Sequence, residues 1–214
     1  MIQTKHLYVN AAIGNSEEVL QDIHLQAKNI AIYQRDAQAL DKELQAIIDQ
    51  TIECRASGTV AEVMATLKAY FNDHLPNSLV LFDDIALLLE LFRKTTQASS
   101  FRLLLATVST NMCRKFHTDI NNLRLLCTYI GPGTLWLPDE AIDYEALRKR
   151  GSNQQIVKDE QQIQQVNTGD VTLLKGALYP KANPILHRSP SIEAQGVKRL
   201  LLRIDTNELL DLLA

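Results

Sequence analysis

The stretch Met112-Cys113-Arg114-Lys115-Phe116-His117-Thr118-Asp119 decides how the rest of the chain is read, because it sets a histidine and a carboxylate two residues apart. On a strand, residues i and i+2 share a face, so His117 and Asp119 can converge on one cation. A second histidine follows in Pro184-Ile185-Leu186-His187-Arg188-Ser189-Pro190, ahead of the basic segment Lys198-Arg199-Leu200-Leu201-Leu202-Arg203. Two imidazoles and a carboxylate make the donor set of a facial metal site, which leaves the opposite positions open. Alone, an HxD tripeptide is commonplace, and its ordinary reading is a surface histidine beside a turn carboxylate. The flanking sequence has to carry the case.

Outward from this stretch, the second half of the chain reads as short apolar strands at 101–108, 112–119, 123–130, 134–137, 171–174, 185–187 and 198–204. Gly131-Pro132-Gly133 and the prolines Pro180, Pro184 and Pro190 punctuate them. Many short strands between turn signals predict a sandwich or barrel. The first half differs. A cap at Asn15-Ser16 precedes a helical stretch over 17–26, a strand spans 29–35, and Asp36 opens the first of three helices between 36 and 97. Thr59-Val60-Ala61-Glu62 is a capping box for the second, which should stop before Leu75-Pro76, and Ser78 is placed to cap the third. Residues 139–165 break the strand pattern with one helix near 142–149 and a glutamine-rich stretch, which reads as a surface insertion and candidate lid. The expected organisation is one α+β domain over 1–214, with a mainly helical flanking region, 1–99, and a β-barrel core, 100–214.

Composition narrows the partners. A formal net charge of −3 gives no general pull toward nucleic acid or anionic membranes. The amino-terminal residues lack a secretory pattern, and the most apolar run, 79–92, is interrupted by Asp83, Asp84 and Glu90. The expectation is a cytoplasmic protein with no nucleic-acid or membrane partner. Cys54, Cys113 and Cys127 have no CxxC spacing, which argues against disulfides or a zinc knuckle. His6, His24 and His74 read as surface residues. Neither the substrate nor the oligomeric state is legible.

The order of pieces from 112 to 204 resembles the double-stranded β-helix core of the Fe(II)/2-oxoglutarate-dependent dioxygenases. There an HxD motif is followed by a strand, here Leu123-Arg124-Leu125-Leu126-Cys127-Thr128-Tyr129-Ile130, and a GGxL-type segment, here the degenerate Gly133-Thr134-Leu135-Trp136. A distal histidine, then a glycine and a basic strand, complete the pattern in Gly196-Val197-Lys198-Arg199-Leu200. The resemblance implies a cupin-like, jelly-roll barrel with Fe(II) on His117, Asp119 and His187. It implies 2-oxoglutarate anchored by Arg199, with Arg203 on the same strand face as competitor and Arg188 and Arg124 as weaker candidates. Tyr129 and Thr128 alternate along their strand, so one of them can meet the co-substrate. Trp136 is more simply a core or rim aromatic. The stretch Phe116 to Pro138 and the His-Arg-Ser-Pro segment also resemble an uncharacterised bacterial family, which implies no activity.

Two readings compete. The first is an Fe(II)- and 2-oxoglutarate-dependent oxygenase; the second is a non-catalytic, zinc- or iron-binding protein of the same fold with a regulatory or homeostatic role. Cys113, of the same strand parity as His117, would soften the site toward zinc. A metal-free interaction module, with the HxD incidental, is the remaining alternative.

Overall fold

The computed structural model describes residues 8–181 and 183–207. His6 and the amino-terminal residues read for a targeting signal lie outside the described residues.

Two long strands hold the centre. β5 (Leu123–Ile130) and β10 (Arg199–Thr206) pair antiparallel, with Asp205 opposite Arg124, Arg203 opposite Leu126 and Leu201 opposite Thr128. Around them a seven-stranded sheet forms from β1 (Ala11–Gly14), β2 (Ile30–Tyr33), β3 (Glu53–Gly58), β4 (Phe101–Val108) and β8 (Val171–Lys175), in the order β1-β2-β8-β5-β10-β4-β3. Only the β1–β2 pairing is parallel.

Period-two alternation sorts the side chains of this sheet into two chemistries. Leu125, Cys127 and Tyr129 of β5, with Leu200, Leu202 and Ile204 of β10, enter a core shared with helices α2 (Val60–His74) and α3 (Leu79–Thr96). These helices bring Val63, Leu67, Phe71, Ile85, Leu88 and Phe92, all buried, and each such side chain contributes roughly 1.5–3 kcal/mol on burial. The opposite face carries Arg124, Leu126 and Thr128, then Arg199, Leu201, Arg203 and Asp205. It is covered by a three-stranded sheet of β6 (Leu135–Trp136), β7 (Gln164–Gln165) and β9 (His187–Arg188). Trp136, 1% exposed, packs with Val166 and Ile185 onto Leu126, Leu174 and Leu201, so it is a core aromatic between the sheets.

Several local expectations hold. The capping box forms, with Glu62 accepting from the Thr59 amide at 2.8 Å, and α2 stops ahead of Leu75-Pro76. The third helix starts after Ser78, but its hydroxyl does not cap. The Glu43 carboxylate, from α1 (Asp41–Ile47), accepts from the amides of Val80 and Leu81 instead.

Four expectations require correction. The sheets face each other, but the large sheet is not closed into a barrel. Residue 100 is not a seam in the fold, because β1, β2 and β3 come from before it and join the same sheet as β4, β5, β8 and β10. Residues 112–119 are irregular rather than a strand, with His117 making one isolated antiparallel bridge to His187. The stretch 139–165 is no loose lid. Its helices α4 (Tyr144–Arg148) and α5 (Asn153–Ile156) fold over a small core of Leu137, Ala141, Ile142, Ile156 and Val157, closed by Phe116 and Leu186. Among the described residues, no helix is long and apolar enough to cross a membrane.

Candidate metal centre

The site is assembled by that bridge. His117 and His187 exchange two backbone hydrogen bonds of 3.0 Å, which brings their imidazoles to 4.6 Å between ring centroids. The residue before each histidine, Phe116 or Leu186, is buried in the small core, so both backbones are pinned from the same side. Asn153 adds a clamp, accepting from the Phe116 amide at 2.9 Å and donating to the Arg114 carbonyl at 2.8 Å.

His117 Nε2 lies 3.6 Å from Asp119 Oδ1, His187 Nε2 lies 3.3 Å from Asp119 Oδ2, and one ligand atom from each of the three residues falls within 4.8 Å of the others. The other ring nitrogens settle the tautomers. His117 Nδ1 faces the Lys115 carbonyl at 3.0 Å, and His187 Nδ1 faces that of Ile185 at 3.4 Å. A carbonyl only accepts, so Nδ1 carries the proton in each neutral ring and the Nε2 lone pair faces the carboxylate. Lone pairs pointing at one another need a proton or a cation between them. Asp119 Oδ2 is buried with no hydrogen-bond partner, the orphaned atom such a cation would satisfy. Metal–ligand bonds of ~2.1 Å at right angles place neighbouring donors ~3 Å apart, close to what is seen.

Electrostatics prepare the same set. Burial pushes the Asp119 carboxyl upward, but hydrogen bonds from His117 and His187 and the charge of Arg124 outweigh it and hold the group well below the usual carboxylate range. His117 is raised by its Asp119 contact, against burial. Arg124 Nη1 sits 2.5 Å from Asp119 Oδ1, and its Nε sits 2.6 Å from Asp205 Oδ1. Asn121 donates to the same Asp205 oxygen at 2.9 Å, and Arg203 Nε lies 3.3 Å from Oδ2. Arg124 therefore engages one Asp119 oxygen and leaves the other for a metal. Its role was readable only in part: its alternation with Leu126 and Thr128 places it on the site face, but Asp205 as its partner needed the β5–β10 register.

The remaining candidates separate by face. Arg199 is 1% exposed, lines a cavity with His117 and His187, and donates to Thr128 Oγ1 at 3.1 Å. Its Nε is buried without a partner, and no carboxylate of the described residues pairs with it. Burial lowers it to about 10, so it stays charged at neutral pH. Tyr129 is on the helix side, where its hydroxyl donates to Asp84 at 2.7 Å, which removes it from the co-substrate candidates. Cys113 is exposed at the cavity wall, and its thiol is not among the converging donors. The cavity measures about 60 Å³, room for a few waters.

The model of a family described as "Protein of unknown function (DUF1826)" matches residues 14–205. The chain belongs to the DUF1826 family. No curated protein matches the sequence. In shape, this DUF1826 chain is similar to dioxygenase for auxin oxidation 1 from Arabidopsis thaliana, solved with 2-oxoglutarate, at a TM-score of 0.53 and 6% identity over 92% of each chain. It is also similar to a Pseudomonas putida prolyl-4-hydroxylase, at a TM-score of 0.42 and 10% identity over 88% of this chain and 96% of the other. At such identities the likeness to the plant dioxygenase is one of fold.

Proposed function

We propose that this DUF1826 protein is an Fe(II)- and 2-oxoglutarate-dependent oxygenase, with its two facing sheets as the walls of a double-stranded β-helix. The observation that carries the reading is that one cavity holds both the converged His117, Asp119 and His187 donors and a buried guanidinium, Arg199, with no carboxylate of its own. An uncompensated buried charge costs several kcal/mol, which an incoming anion returns. Between the two rival anchors, Arg203 already has Asp205 at 3.3 Å, whereas Arg199 is held only by the Thr128 hydroxyl. Arg199 is therefore the residue free to take a carboxylate through two parallel hydrogen bonds. Thr128 fixes the guanidinium rather than the keto acid.

Iron bound here would supply dioxygen activation coupled to decarboxylation of the keto acid. The chain's own contributions are local. Lys115 and Ile185 carbonyls fix the imidazole tautomers, Arg124 restrains Asp119 to one free oxygen, and the small core under Phe116 and Leu186 keeps the bridge rigid. A five-carbon dianion exceeds a cavity of about 60 Å³, so the exposed wall at Met112 and Cys113 has to yield as it enters.

Anaerobic loading with Fe(II) and 2-oxoglutarate tests the reading. A visible charge-transfer band and oxygen-dependent succinate formation are expected, both lost in His187→Ala. Metal binding with no band and no succinate would sink the oxygenase reading and leave a non-catalytic metal protein.

A further inference from the structure

The cavity that holds the metal donors is lined by four arginines, Arg124, Arg188, Arg199 and Arg203, and by no aspartate or glutamate. Two of the four are matched from behind the lining: Arg124 lies against Asp119 and Asp205, and Arg203 against Asp205. Arg199 and Arg188 are not matched. Arg188 sits on β9 directly after the ligand His187, and its Nε is buried with no hydrogen-bond partner. Its Nη1 reaches only the neighbouring Ser189 carbonyl at 3.1 Å, and its guanidinium rests 5.2 Å over the Phe116 ring. Glu160 acts on it only through space, without an ion pair among the described residues.

Loading the site for the proposed reaction does not remove this excess. Fe(II) and the 2-oxoglutarate dianion cancel each other, and Asp119 and Asp205 match two arginines, so the cavity still carries two uncompensated positive charges. In a poorly solvated cavity that is a strong preference for a further anion. Arg199, fully buried and held by Thr128, suits the co-substrate. Arg188 is half-buried at the other side of His187, next to the exposed Met112 wall, where a second molecule can approach.

We infer that the primary substrate carries an anionic group, carboxylate or phosphate, and that Arg188 receives it. The inference rests on the oxygenase reading and adds the class of substrate to it. Arg188 is a binding residue in this account. The planar fork over the Phe116 ring leaves its Nε and Nη2 edge to accept a second anion with two parallel hydrogen bonds.

The test uses the full chain loaded anaerobically with Fe(II) and 2-oxoglutarate and titrated separately with inorganic phosphate and acetate, at ionic strength fixed with sodium chloride. Calorimetry and the shift of the visible band report binding. Saturable binding of one probe is expected, and which probe binds separates phosphate from carboxylate substrates. Arg188→Gln should weaken that binding about tenfold while changing 2-oxoglutarate affinity less than about twofold, and Arg188→Lys, which keeps the charge and the packing, should fall between. Failure of both probes to saturate overturns the inference, as does saturation that Arg188→Gln leaves intact while 2-oxoglutarate still binds. If the parent protein does not bind 2-oxoglutarate, the oxygenase reading itself falls, and this inference with it.

Discussion

Each face of the large sheet carries a buried ionic network, and the two are finished to different degrees. On the helix face, Arg35 meets Asp84 of α3 through two contacts of 2.5 and 2.9 Å, and Tyr129 completes the carboxylate at 2.7 Å. Arg35 Nε goes to the Gly169 carbonyl at 2.8 Å, so the cation is also satisfied. On the site face, Arg124, Arg203, Asn121 and Asp205 are knitted as closely, yet Asp119 Oδ2 and the Nε atoms of Arg199 and Arg188 are left buried without partners. Tyr129 and Thr128, adjacent on β5, belong one to each network. A network that closes on itself fixes tertiary structure; one that leaves donors and acceptors over is shaped for something that arrives from outside.

The sharpest way to break this comparison is to exchange the expected phenotypes. Asp119→Ala should reduce divalent-metal affinity on the order of a thousandfold while the metal-free protein keeps its fold by circular dichroism. Metal affinity that survives the change would mean the donors do not act together. Asp84→Ala should do the reverse: it leaves Arg35 buried and unpaired, costs about 3 kcal/mol in urea unfolding, and leaves metal affinity unaltered. A smaller effect separates the two arginines of β10. Arg199→Gln should weaken 2-oxoglutarate about a hundredfold with metal affinity unchanged, and Arg203→Gln should weaken it only a few-fold; equal losses would return Arg203 to contention.

The smallest expected effect concerns Lys175, a buried cation on the helix face that also lacks a carboxylate, donating to the Leu25 carbonyl at 2.9 Å and lying 4.6 Å from the Tyr179 ring centre. Burial lowers it to about 8 from an ordinary 10.5. Between those values the unfolded chain binds the proton more readily, so stability should rise as pH increases from about 8 to 10.5. Lys175→Met should flatten that part of the pH–stability profile; a rise that persists in the variant would assign it to another group.

How much of this the sequence exposes depends on residue type and range. The His117, Asp119 and His187 donor set is legible because so few chemistries use those three together, and α2 is legible from Thr59, Glu62 and Pro76, which act within a few residues. Strands β1 and β3 are not. Their buried positions are Ala11, Ala12, Cys54 and Ala56, too small to stand out as a β pattern. The strand read over 112–119 fails because Asn111 and Cys113 spend their hydrogen bonds on Ile192, Glu193 and Ser189 instead of a ladder. The 139–165 stretch looks mobile by composition, and only its packing against Phe116 and Leu186 reveals it as a support for both histidines.

That His117 and His187 meet through a single bridge has a consequence for assembly. One pair of backbone hydrogen bonds joins segments far apart in sequence, and closing so long a loop is an entropic expense that local structure cannot meet in advance. The three donors therefore do not exist as a set in the unfolded chain, and any cation they capture binds only after the last segments dock. Occupancy would then shift the folding equilibrium by RT ln(1 + [M]/Kd), where [M] is the free metal concentration, so that metal supply becomes a determinant of how long the protein survives proteolysis.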